Sequence, residues 1–182
     1  MPGLFGEWRK KHRLIRENKE LCKRYPFLIP WNRWSGKLIT ECQSGGRGYW
    51  PESPDAVPKY DWSYTEIDAM PEGWFNAFGI QMCEEIRKAL IDDDDLNRWR
   101  IVQLKEKYGE LRIYDNGHKR GSKIPEIIDK YSELSRHTCI NCGKPATRIT
   151  MGWISPYCDD CCPDGAMTVP VDEYLTEDDK IE

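Results

Sequence analysis

The segments Cys139–Pro145, CINCGKP, and Tyr157–Cys162, YCDDCC, decide how the end of this chain folds. Two residues separate Cys139 from Cys142 and Cys158 from Cys161, and fifteen lie between the pairs. That is the spacing of a tetrahedral zinc site. A Cys-x-x-Cys turn aims both sulfurs at one point, and Gly143 behind the first pair relieves the tight turn. The intervening GKPATRITMGWISPY is long enough for a short hairpin that returns the second pair to the first. Four thiolates fill the coordination shell of Zn2+, so the ion expected here supports structure and not catalysis.

The alternatives are two disulfides or simple buried cysteines. Disulfides need an oxidising compartment. The opening MPGLFGEWRKKHRLIRENKE lacks the apolar stretch and cleavage site of a secretory signal. The expectation is a cytoplasmic protein with reduced thiols. Cys162 is a substitute ligand beside Cys161, and His137 a weaker one. Cys22, Cys42 and Cys83 stand singly and read as small hydrophobes. A second metal site built from them and His12 is an open alternative.

The 182 residues suit one compact unit. Hydrophobic residues at 39% and charged residues at 32% exclude a disordered composition, and no apolar run is long enough to span a bilayer. The net charge of −4 hides an asymmetry: residues 1–37 sum to +7 and the remainder to −11. A basic segment of this kind suits phosphates or an acidic partner. An acidic body suits a basic protein surface.

Five segments follow from the patterning. Residues 1–37 form a basic N-terminal helix and its exit, with Phe5, Trp8, His12, Ile15, Lys19 and Cys22 recurring at steps of three and four. Pro26 and Pro30 end it. Residues 38–64 form an aromatic, Gly/Pro-rich loop.

Residues 65–135 form an α+β core. Its main helix carries Trp74, Phe78, Met82, Ile86 and Leu90 in steps of four, with Ala77 and Ala89 beside them and Pro71 at its start. The run Asp92–Asp95 is unfavourable to the helix dipole and stops it. RWRIVQLKEKYGELRIYDNG reads as a hairpin with Gly109 in its turn. A further helix carries Ile124, Ile127, Ile128, Tyr131 and Leu134. Residues 136–165 are the zinc ribbon, and 166–182 an acidic tail. The fold class is therefore α+β: helices packed on a small antiparallel hairpin, with a C-terminal four-cysteine ribbon.

The sequence offers little that reads as catalytic. It has no phosphate-binding Gly-x-x-x-x-Gly-Lys loop and no Gly-x-Ser-x-Gly elbow. Ser44–Gly48 lacks a following helix, and His118 reads as an exposed turn residue. A non-enzymatic protein is expected. Candidate partner-contact residues are Asp92, Asp93, Asp94, Asp95, Trp50 and Trp62. The ribbon's Lys144 and Arg148 face Asp159, Asp160 and Asp164, so nucleic acid would have to use the N-terminal helix, through Trp8, Arg9, Lys10, Lys11 and Arg13.

Four stretches carry a resemblance: YPFLIPWNRWSGK, YDWSYTEIDAMPEGWFNAFGIQMCEEI, VQLKEKYGELRIYDNG and CINCGKPATRITMGWISPYCDDC. Together, from about residue 25 to 162, they resemble small zinc-ribbon proteins encoded by phages and prophages. The chain is also similar to type II anti-CRISPR proteins, which inhibit an RNA-guided DNA nuclease. The resemblance implies zinc at Cys139, Cys142, Cys158 and Cys161, a bacterial defence nuclease as partner, the bacterial cytoplasm as location, and no catalytic residue. The other function class is a nucleic-acid-binding accessory or regulatory protein working through its basic N-terminal helix.

Overall fold

The structure is a computed structural model that describes residues 16–32, 37–38, 62 and 64–178; the side chains of 31, 32, 37, 38 and 176–178 are not part of that description. Phe5, Trp8, Arg9, Lys10, Lys11, His12, Arg13, Ile15, Cys42, Ser44–Gly48 and Trp50 therefore lie outside the described residues. Within them the chain is α+β, with helices and small antiparallel sheets.

Residues 16–24 are helical (α1). Cys22 and Asn18 face inward. Lys19, expected on the apolar stripe, is exposed: its place inside is taken by Asn18, whose amide donates to the Trp62 carbonyl at 2.8 Å. Pro26 ends the helix and opens a 3-10 turn that buries Phe27 and Leu28 completely. Trp31–Asn32 (β1) and Lys37–Leu38 (β2) then pair antiparallel across the boundary between the helix's exit and the segment expected to be loop.

Glu72–Trp74, Phe75–Gly79 and Ile80–Asp92 follow one another as a single helical stretch (α2), whose middle five residues form a π turn. The π turn explains how the stripe stays inside. A spacing of four over-rotates an α-helix by about 40° at each step. The wider turn unwinds part of that drift. Trp74, Phe78, Met82, Ile86 and Leu90 are all buried. Ala77 is exposed, and Cys83 occupies the inner position beside the stripe instead.

The acidic run ends α2 by backbone geometry as well as charge. Asp94 is left-handed (φ 51°), so the Asp95 amide reaches back to the Leu90 carbonyl (2.8 Å) and the Asp94 amide to that of Ile91 (3.0 Å). The Lys119 ammonium donates to the Asp93 and Asp94 carbonyls, which suits the negative helix end.

Ile101–Lys107 (β3) and Glu110–Asp115 (β4) form the expected hairpin, with a register shift between Ile101 and Gln103. Lys107 pairs with Glu110, so the turn is two residues long. Both Tyr108 (φ 54°) and Gly109 (φ 77°) are left-handed, as a type I′ turn requires. Ile101, Leu104 and Leu111 face the core; Tyr114 points outward.

Ile124–Arg136 (α3) covers the hairpin and packs on α2. Ile124 and Tyr131 are buried and Ile127 and Ile128 half-buried, but Leu134 is exposed and Ser135 takes the inner position. The reason is the exposed hydrogen-bonding edge of β4. Ser135 Oγ accepts the Leu111 amide (2.8 Å), and Ser132 Oγ donates to the Leu111 carbonyl (2.6 Å). Two small hydroxyls let the helix lie close to the strand while satisfying its free edge.

The ribbon is a three-stranded sheet. Arg148–Thr150 (β5) sits centrally, with Ser155–Tyr157 (β6) on one side and Thr168–Pro170 (β7) on the other, all antiparallel. The region expected to be an acidic tail thus supplies a strand, and then a helix, Val171–Asp178 (α4), anchored by buried Val171. Among the described residues no helix is long and apolar enough to cross a membrane.

Holding Tyr108 left-handed costs about 1 kcal/mol or more. Tyr108→Asn, which places a residue suited to this turn, is expected to raise stability by about 1 kcal/mol, read as a higher urea midpoint at unchanged slope.

Candidate metal centre

The sulfur ligand atoms of Cys139, Cys142, Cys158 and Cys161 all lie within 4.8 Å of one another, and Cys142 Sγ is 3.6 Å from Cys158 Sγ. A tetrahedron with metal–sulfur distances of about 2.3 Å has edges of about 3.8 Å. The four sulfurs therefore fit around one metal ion. None of the seven described cysteines is in a disulfide.

Each pair is held by its own turn. The Cys139 amide donates to the Lys144 carbonyl (2.8 Å) and the Gly143 amide to the Cys139 carbonyl (3.0 Å). Gly143 is left-handed (φ 80°), as the tight turn requires. In the second knuckle the Cys161 and Cys162 amides both donate to the Cys158 carbonyl, at 3.1 and 3.0 Å. The strands between, β5 and β6, return the second knuckle to the first.

The environment favours thiolate at Cys139. Burial pushes this thiol up, but the backbone amides of Cys158, Cys142 and Asn141 hydrogen-bond to its sulfur and hold it at about 7. The thiols that share the point repel one another's charge. Burial pushes Cys158 up, and the hydrogen bond with Cys142 pushes Cys161 up to about 12. A cation at the centre reverses that repulsion, because it favours every thiolate together.

The remaining candidates separate cleanly. Cys162 is outside the sulfur group: its amide closes the second knuckle, and its sulfur lies 4.0 Å from the Pro163 carbonyl. His137 turns to Glu133 (Nε2 to Oε1, 3.0 Å). Cys22 and Cys83 are core residues whose thiols burial pushes up to about 12. Lys144 pairs with Asp160 at 2.8 Å and Arg148 with Asp159 at 2.6 Å, so the ribbon's expected opposition of charge is realised as ion pairs.

The residues that seat the ribbon on the core are not cysteines. The Gly73 amide donates to the Ile140 carbonyl at 3.0 Å, and a Cβ at Gly73 would overlap the carbonyl oxygens of Cys139 and Ile140. Trp74 Nε1 donates to the Thr138 carbonyl at 2.9 Å, and within the ribbon the Ile140 amide donates to the Pro156 carbonyl at 2.9 Å. A glycine between Glu72 and Trp74 is a poor helix former in the first turn of a long helix, and that is the signal in the sequence.

The candidate contact residues are dispersed. Asp92 and Asp94 are exposed. Asp95 is 5% exposed and takes two hydrogen bonds from Arg98, at 2.7 and 2.5 Å, so it is a structural anion and not a contact. The Asp93 carboxylate accepts from Ser122 Oγ at 2.5 Å. Trp62 is half-buried and packs against the core. Comparison with protein-family models, curated proteins and solved structures finds no match.

Elemental analysis is expected to find one metal equivalent per chain in the wild type and in Cys162→Ser, and much less in Cys139→Ser. Gly73→Ala should retain the four ligands but lose about 1–3 kcal/mol of stability through overpacking. It should also release metal to a colorimetric chelator faster than the wild type.

Proposed function

We propose that the ion is zinc in a structural role, and that the chain acts without turnover by binding another macromolecule. The observation that carries this reading is the convergence of all four sulfurs on one point. Four thiolates complete zinc's tetrahedron and leave no position for water or substrate. Other shifted groups have structural partners. Tyr25 and then Arg24 hold Glu84 down, Lys130 holds Glu85 down, and Arg98 does so for Asp95. These pairings tie elements together and do not poise an acid or base.

The resemblance to phage- and prophage-encoded zinc-ribbon proteins supplies the class of partner: a bacterial RNA-guided DNA nuclease, met in the host cytoplasm. Such nucleases hold guide and target in positively charged channels. A body that sums to −11 outside residues 1–37 has the complementary sign, and exposed Asp92 and Asp94 are part of it. The mode of action is stoichiometric obstruction.

Titrating the purified, metal-loaded chain against a purified effector should reduce target cleavage linearly, with the break at molar equivalence. Inhibition that keeps progressing at a large excess of effector would replace this mechanism with an enzymatic one.

A further inference from the structure

The outward face of the β3–β4 hairpin is built against two local rules. In the register, Lys105 stands directly opposite Arg112. Like charges opposed across a strand pair destabilise a sheet. Asp129 and Glu133 of α3 line the groove beside Arg112 and Tyr114; on this face of the strands themselves Lys105, Lys107 and Arg112 stand against Glu110 alone, which bonds Arg112 at 2.8 Å. This occurs on a body that is otherwise strongly acidic. The second breach is Tyr108, held left-handed at the tip of a turn that suits Asn or Gly.

Both breaches place cations and aromatic rings side by side. Tyr108 is 69% exposed and Tyr114 is 47% exposed. The Lys107 ammonium is 5.3 Å from the Tyr108 ring centroid, and that of Lys105 is 5.1 Å from the Tyr114 ring. These stacked pairs return only part of the cost.

The ribbon touches the hairpin at its tip. A Cβ at Gly109 would lie 3.4 Å from Ile154 Cγ2 and 3.3 Å from Pro156 Cδ, so the hairpin tip rests on the ribbon's turn. Trp153, the neighbour of Ile154, is 79% exposed, the most of any large hydrophobic side chain described.

We infer that this surface binds single-stranded nucleic acid. Lys105, Lys107 and Arg112 supply phosphate contacts, while Tyr108 and Tyr114 supply platforms for unpaired bases. Sequence-tolerant single-strand binding needs this combination of a cationic track and aromatic faces. A polyanion removes the mutual repulsion of Lys105 and Arg112, and the exposed rings beside them suit unpaired bases. The assignment moves the expected nucleic-acid contact from residues 1–37 to the hairpin. It does not depend on the nuclease reading, and the two are compatible.

The test uses the full, metal-loaded chain and labelled twelve-nucleotide oligo-dT and oligo-U, followed by fluorescence anisotropy. Binding to either strand is expected, and the tighter one names the source as DNA or RNA. The slope of log affinity against log salt should be about −2, for about three phosphate contacts. The charge reversal Lys105→Glu with Arg112→Glu should weaken binding at least tenfold. Tyr108→Asn should weaken it about tenfold while making the fold more stable, a combination that structural damage cannot produce. Three results overturn the inference: no binding to either oligonucleotide, equal binding to a duplex of the same length, or a larger loss from reversing Arg9, Lys10 and Arg13 than from the hairpin variants.

Discussion

The close approach of two backbones at Gly73 couples the two halves of this molecule. On one side is the start of the helix that carries the core stripe. On the other is the first cysteine knuckle, whose carbonyls at Cys139 and Ile140 lie where any side chain would stand. Because Gly73 and Trp74 are adjacent, the backbone bond to Ile140 and the indole bond to Thr138 come together. The sulfur group is therefore part of the core's boundary and not an appendage on a linker. Structural zinc contributes about 10–16 kcal/mol of apparent binding free energy in small peptides. Any ion held by the four sulfurs would act through this contact on the helix as well as on the ribbon.

Much of this arrangement was readable from residue order, and what was readable shares a physical cause. The hairpin, the stripe from Trp74 to Leu90 and the cysteine pairs are local patterns, set by the period of the element or by a turn within a few residues. The failures are places where a distant partner decides. Ser135 is inside, and Leu134 outside, because β4 presents an unpaired edge that only a short hydroxyl can meet at that distance. Thr168–Pro170 is a strand because β5 has a second edge to fill. Neither partner is visible in the segment's own periodicity.

Charge proved the hardest feature to read from composition. The run Asp92–Asp95 looks uniform in one dimension, yet its four carboxylates have different fates. The left-handed turn at Asp94 rotates Asp95 inward to Arg98, three residues on, while Asp93 meets Ser122 and the other two face solvent. The sequence already contained the Asp-x-x-Arg pair that accounts for the buried one. The outward hairpin face shows the converse: cations spread over two strands become one surface only once the register is set.

The order in which a ribosome delivers these pieces gives the Gly73 contact a further meaning. Chains emerge at roughly 5–20 residues per second, N-terminal end first. The stripe helix and the hairpin are complete before Cys158 and Cys161 exist. Until Thr138 and Ile140 follow, the notch at Gly73 is uncovered, with its amide and the Trp74 indole unmet. Closure there waits for the first knuckle, whose carbonyls at Thr138 and Ile140 meet these two donors. A helix made early is thus closed late, by a segment that leaves the ribosome after the whole hairpin.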